Sequence, residues 1–170
     1  FRSFQFRWAD PTRICLINEI KISTAVTTTM FAAGVPQQID LIKSTGWSVA
    51  GTGGTAPTVA ATLKKRTNMG SSLMVAGDMR IATTAALGVG TKTLEAQALA
   101  TIVQACPITA SLYGGMIPPG TFLFRAGMSD GQHPIALVQN EGISIRSVAI
   151  PATGTWQAAI SIDWTEVAAF

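Results

Sequence analysis

Charge and histidine are scarce in this sequence, and both shortages limit what the protein does. Charged residues make up 12% of the 170 residues, about half the share usual in soluble proteins. The one histidine, His133, precedes a proline at a predicted turn. A single histidine is too few for the His-rich or Cys/His clusters that bind zinc, and no serine or cysteine lies in a recognised nucleophile motif. We therefore predict a protein without catalytic residues, cofactor or bound metal.

Two cysteines and the lack of long apolar runs indicate a protein that folds inside a cell. Cys15 and Cys106 lie among apolar neighbours, which favours buried thiols over a disulfide and indicates a reducing compartment. Residues 1–8 lack the continuous apolar stretch of a signal peptide, and no run of 18 apolar residues predicts a membrane-spanning segment. The sequence does not begin with methionine, so we expect residues before Phe1 to have been removed or to lie outside it.

Apolar and polar residues alternate along much of the chain, which predicts β-strands. The clearest alternation covers 155–167, where every second side chain is apolar and those between are mostly polar. The apolar set is Trp156, Ala158, Ile160, Ile162 and Trp164. A period of two buries one face of a strand and leaves the other polar, as in an antiparallel sheet.

Shorter alternating segments extend this pattern. Strands are predicted at 3–8, 13–26 (with Asn18 interrupting the alternation), 37–42, 79–86, 121–124, 134–138 and 143–148. Segment 93–105 fits a strand by alternation and a helix by alanine content, and we favour a strand because 88–93 resembles a hairpin turn more than a helix cap.

These segments predict one all-β domain over residues 1–170. About eight to ten short strands separated by Gly and Pro turns are typical of an antiparallel β-sandwich, with a jelly roll as the favoured form. Its long loops, 24–34 and 45–62, are rich in Thr, Ala and Gly.

Three patterns resemble functional sites only in part. Segment 51–55 resembles a phosphate-binding loop but lacks the Gly-Lys-Ser/Thr ending and the following helix. Asp163 and Glu166 point to opposite faces of a strand, so they do not form a catalytic pair. The four tryptophans allow a sugar-stacking platform, but Trp156 and Trp164 share a strand face that is predicted to be core.

A surface nearly free of charge suits a protein held against neighbouring chains. Residues 1–66 carry eight Lys or Arg against three acids, a net charge of +5, and 67–170 carry a net charge of −2. The basic run 64–66 is short and has no interleaved aromatics, so nucleic-acid binding is not expected. The predicted interface residues are Phe1, Phe4, Phe6, Lys64, Lys65 and Arg66.

Several segments of this chain resemble small structural proteins of tailed bacteriophages. They are RIATTAALG (80–88), GTKTL (90–94), NEGISIR (140–146), PATGTW (151–156) and IDWTEV (162–167). The resemblance covers the chain from about residue 80 onward and the first half only loosely. It implies a virion protein of β-sandwich or jelly-roll type, assembled in the host cytoplasm. Within that group it implies a capsid decoration (cement) protein that stabilises the phage head.

Such a protein is expected to form a homo-oligomer, with a trimer favoured, and to contact the major capsid protein or other virion proteins. No catalytic motif of the group is carried over to this chain. The alternative function is a receptor- or carbohydrate-binding module on a phage tail or spike, which requires clustered exposed aromatics. A hydrolase requires a pocket that contains His133 and a nucleophile.

Overall fold

The computed structural model describes residues 2–27, 29, 31, 36–59, 70–105, 117–127, 133–148 and 154–169. Within these residues the chain forms ten β-strands and no helix. The strands are β1 (Arg2–Trp8), β2 (Ile14–Val26), β3 (Pro36–Val49), β4 (Met79–Ile81), β5 (Thr91–Leu94), β6 (Ala100–Ala105), β7 (Thr121–Arg125), β8 (Ile135–Leu137), β9 (Glu141–Ser147) and β10 (Trp156–Val167).

The strands form two antiparallel sheets that pack against each other. Sheet 1 has the order β4-β1-β9-β3-β5, and β6 also pairs with β3; sheet 2 has the order β10-β2-β7, and β8 also pairs with β2. Apolar side chains from both sheets form one core cluster. The predicted all-β antiparallel sandwich is therefore confirmed, while the jelly-roll topology within it stays a prediction.

β1 lies inside sheet 1, between β4 and β9, and its apolar side chains enter the core. Phe4 is 4% exposed, and Phe6 is fully buried. The Phe6 ring meets Trp164 of sheet 2 edge-on, with ring centroids 5.7 Å apart and an interplanar angle of 71°. A strand with neighbours on both edges buries its apolar side against the facing sheet. The expectation that Phe4 and Phe6 face other chains is therefore wrong.

A β-bulge at Asn18 changes which side chains of β2 face the core. Glu19 is opposite Asp163 and Ile17 is opposite Trp164, so Asn18 is the extra residue between them. Before the bulge Cys15 and Ile17 are fully buried, and after it the buried residues are Ile20, Ile22 and Thr24. An extra residue shifts the alternation by one position. The fully buried residues are therefore odd-numbered before the bulge and the buried residues are even-numbered after it, and one alternating pattern does not describe the whole strand.

Cys15 is fully buried in the core. Burial, reinforced by the negative charge of Glu166, raises the pKa of the Cys15 thiol. The thiol therefore stays protonated and acts as a small apolar side chain. Cys106 lies outside the described residues.

Two of the predicted strands are shorter than their alternation suggests. Segment 79–86 is a strand only at β4, and 93–105 is divided into β5 and β6, both of which pair with β3. Hydrogen bonds to the same strand hold the connection: Glu95 donates its N–H to the Lys43 carbonyl at 2.9 Å, and Leu99 donates to Leu41 at 2.8 Å. β10 has the predicted length, but its apolar face is only half-buried, because β10 pairs with one strand among those described.

Candidate functional site

The outer face of sheet 1, which points away from the core, carries a row of buried side chains instead of solvent-exposed ones. Gln5 of β1 is opposite Ser144 of β9, and Ser144 is opposite Ile42 of β3. All three are buried, and Gln5 lies against the connections at 50–55 and 82–90. Leu87 donates its N–H to the Arg2 carbonyl at 3.1 Å, which fastens the second connection to β1.

Trp47 is the largest side chain on this outer face, and glycine makes room for it. Gly46 has a φ of 58°, a left-handed conformation that glycine adopts without a Cβ penalty, and the pairing of β3 with β5 shifts register around it. The Trp47 indole donates its Nε1–H to the Val49 carbonyl at 2.8 Å. A Cβ on Gly142 would lie 2.5 Å from the indole, so only glycine fits beneath the ring.

Lys92 lies over the Trp47 ring, with its Nζ 3.8 Å from the ring centroid. The ammonium donates a hydrogen bond to Gln5 Oε1 at 3.0 Å, and Gln5 Nε2 donates to the Gly88 carbonyl at 2.7 Å. Burial, and then the positive charge of Arg2, lower the pKa of Lys92 to about 8. The ring and the amide hold the ammonium in place but do not neutralise it.

The lowered pKa makes the stability of the fold depend on pH. We expect the free energy of unfolding to rise between about pH 8 and pH 10.5, because Lys92 loses its proton near 8 in the folded state and near 10.5 in the unfolded state. In that window the unfolded chain binds more protons, so raising the pH favours the folded state. Chemical denaturation of the wild type and of Lys92→Met from pH 7 to pH 10.5 tests this. Subtracting the free energy of unfolding of the variant from that of the wild type cancels the contributions of the other titrating groups. A difference that does not change with pH contradicts the expectation.

Arg2 and Arg146 are directly opposite each other on β1 and β9. With Ala86, Ser147 and Val148 they line a cleft of about 310 Å³. Arg146 Nε lies 3.5 Å from Asp40 Oδ2, and its side chain is 40% exposed. The other oxygen of Asp40 accepts hydrogen bonds from Gln38 and Thr101, both at 2.9 Å.

The lack of an acidic partner distinguishes Arg2 and Lys92 from the other cations of the described chain. Elsewhere cations have acidic partners: the ion pairs are Arg7 with Asp78 at 3.6 Å, Lys21 with Glu19 at 2.7 Å, Arg125 with Glu19 at 3.6 Å, and Lys43 with Glu141 at 3.3 Å. Arg13 and Arg80 lie near Asp10 and Asp78, whose pKa values they act to lower. Arg2 and Lys92 form no ion pair with any described residue. Arg2, which lines the cleft, and Lys92 are therefore the two described cations that have no acidic partner among the described residues.

Two valines extend the cleft into an apolar surface. Val148 is 52% exposed and Val103 is 59% exposed. The Val148 N–H donates to the Gln38 carbonyl at 2.9 Å, and Gln38 is opposite Val103 in the pairing of β3 with β6. We call Arg2, Arg146, Gln38, Val103 and Val148 the valine–arginine surface.

Of the six predicted interface residues, the structure describes Phe4 and Phe6 only. Phe4 and Phe6 are core residues, while Phe1 and the basic run 64–66 lie outside the described residues. Sequence reasoning missed Arg2, Lys92 and Arg146. No local signal marks them, because Arg2 and Arg146 are 144 positions apart in the sequence and meet only through strand register.

The four tryptophans do not share one surface. Trp8 is buried in the core and Trp47 on the outer face of sheet 1. Trp164 packs on Phe6 and donates its Nε1–H to Glu166 at 3.1 Å. Trp156 is half-buried at the start of β10. His133 is exposed just before β8.

The described ranges carry no candidate metal site and no helix that could span a membrane. Over those ranges, His, Cys, Asp and Glu side chains form no group of three that could hold a metal ion. The same residues include no helix of the length and apolar character needed to span a bilayer. No protein-family model, curated protein or solved structure matches this chain.

Proposed function

We propose that the protein is a structural component of a virus particle that works by binding other protein chains, as a capsid decoration protein on a phage head. The observation that carries this proposal is the valine–arginine surface. Interfaces between proteins are enriched in apolar residues and arginine and depleted of other charges at their centre. Two half-exposed valines beside two arginines have that composition.

The packing of the sandwich also supports a scaffold role. The core cluster spans both sheets, and Ile42, Trp47 and Leu87 of the outer side of sheet 1 are buried as well. A platform packed on both sides of one sheet presents its surface residues with little loss of conformational entropy on binding. Copies that each bury on the order of 1,000 Å² strengthen a shell through many contacts at once.

The alternative function, receptor or carbohydrate binding, has less support. Stacking on a sugar needs aromatic rings that are exposed together. All four tryptophans lie in the described residues, and their rings are distributed between the core, the outer face and an edge strand. We therefore favour the decoration protein.

The proposal predicts that a charge on the valine–arginine surface prevents binding to the particle. Val103→Glu places a charged side chain where an apolar contact with a neighbour is expected, which costs about 2 kcal/mol or more in a desolvated contact. We expect occupancy on shells prepared without this chain to fall at least tenfold. The matched control is Val138→Glu, since Val138 is 48% exposed and follows β8 of sheet 2.

The measurements are sedimentation for the oligomeric state, co-pelleting with shells for binding, and an image reconstruction of the native particle. A homo-oligomer, with a trimer favoured, that occupies the shell supports the proposal. A monomer that does not bind the particles contradicts the proposal, as does a wild-type protein that is retained on a glycan array instead.

A further inference from the structure

We propose that the cleft between Arg2 and Arg146 binds one oxyanion group, which in the assembled state is the carboxylate of an acidic side chain on a neighbouring protein chain. The source of the carboxylate rests on the proposed function. The affinity of the cleft for an oxyanion does not, because it follows from the residues of one chain.

The register of β1 and β9 places two like charges side by side. Arg2 and Arg146 are direct partners across the strands, and like charges directly opposite each other destabilise a sheet. An anion between them converts this repulsion into attraction. Each guanidinium presents several N–H donors in a planar fork that matches the two oxygens of a carboxylate or phosphate.

The carboxylate already present, Asp40, does not complete the site. Its Oδ1 is occupied by Gln38 and Thr101, and its Oδ2 lies 3.5 Å from Arg146 Nε and from Nη2. At that length the contact is weak, and Arg146 Nε is buried without a hydrogen bond. Asp40 thus partly balances Arg146 and leaves Arg2 without a described partner.

Lys92 adds a third positive charge to the same region. Burial is the main cause of the lowered pKa of Lys92, and the positive charge of Arg2 adds to it. Arg2, Lys92 and Arg146 against Asp40 leave a formal charge of +2 when Lys92 is protonated. A field of this sign draws an anion toward the cleft.

The size and walls of the cleft limit what it accepts. A volume of about 310 Å³ is at the lower end for ligand pockets, which suits one phosphate or one acidic side chain. Ala86 and Val148 add apolar side chains to the lining of the cleft.

The test follows the titration of Lys92 in the isolated protein. The protein carries ¹³Cε-lysine, NMR records the Lys92 signal from pH 6.5 to pH 10, and Lys92→Met assigns it. Sodium phosphate replaces sodium chloride at constant ionic strength. We expect phosphate to raise the titration midpoint by about one pH unit, because an anion nearby favours the charged amine.

Variants separate this response from a general salt effect. Arg2→Gln should raise the midpoint without phosphate, since it removes a repelling charge, and should abolish the phosphate response. Arg125→Gln, which removes a cation of sheet 2 paired with Glu19, should keep the full response. Arg146→Gln is unsuitable because it leaves the buried Asp40 without its cation. A wild-type midpoint that phosphate does not move overturns the oxyanion site.

A second arm tests the source of the anion. N-acetylglutamate amide should shift the Lys92 midpoint as phosphate does, and N-acetylglutamine amide should not. A response to phosphate alone overturns the acidic side chain as the ligand. Shell binding by Arg2→Gln at the wild-type level also overturns that source. Neither result depends on the Val103→Glu experiment, so failure of this inference and failure of the proposed function are distinguishable.

Discussion

Replacing Trp47 with alanine is expected to lower the free energy of unfolding by about 4 kcal/mol, in the range for truncating a fully buried aromatic. The ring is completely buried on the outer face of sheet 1. Its loss leaves a cavity above Gly142, removes the hydrogen bond to the Val49 carbonyl, and removes the surface on which Lys92 lies. Trp47→Ala should therefore weaken both the fold and the placement of Lys92.

Denaturation followed by far-ultraviolet circular dichroism measures this effect without relying on tryptophan emission. The matched control is Trp156→Ala, because Trp156 is half-buried at the start of an edge strand. We expect the control to lose less than half as much stability. A loss below about 1 kcal/mol for Trp47→Ala, typical of a surface substitution, would contradict the packing described for this face.

Replacing Gly142 with alanine is expected to cost about 3 kcal/mol, at the upper end for overpacking a filled site. A Cβ at this position would lie 2.2 Å from the Phe6 carbonyl oxygen and 2.5 Å from the Trp47 ring. The first neighbour is backbone inside sheet 1, so it does not yield by a change of rotamer. The strands β1 and β9 must separate, or the ring must move.

Two comparisons test the cause of this loss. Gly70→Ala is the control, because a Cβ there meets nothing within 4 Å, and we expect a change within about 0.5 kcal/mol. In the double variant Trp47→Ala with Gly142→Ala, the clash with the ring is absent and the clash with Phe6 remains. The double variant should therefore lose less unfolding free energy than the sum of the losses of the two single variants, as expected for residues in contact. Strict additivity would show that the ring does not press on Gly142.

The strands were predictable because alternation records a buried face. β10 and β9 follow their predicted segments closely, since period-two patterns with Gly and Pro turns are local signals. The role of β1 was not predictable in the same way. Alternation shows that Phe4 and Phe6 share one face. Whether the second sheet or another chain covers that face depends on the order of strands in the sheets, which is a long-range property.

The cleft shows the same limit more sharply. Arg2 and Arg146 are unremarkable in the sequence, and only the register of β1 with β9 makes them neighbours. Lys92 lies in the short strand β5, where the sequence gives no sign that its ammonium covers the buried Trp47 ring. Asn18 was visible as an interruption of the pattern in β2, but its effect as a bulge required the partner strand.

The contact between Lys92 and Trp47 has an optical consequence. Indole fluorescence responds to a charge held against the ring, and here the ammonium lies 3.8 Å from the ring centroid. Subtracting the spectrum of Trp47→Phe from that of the wild type isolates the emission of this one indole. That difference spectrum should change as Lys92 loses its proton. Trp47 is therefore an intrinsic fluorescent reporter of the ionisation state of Lys92.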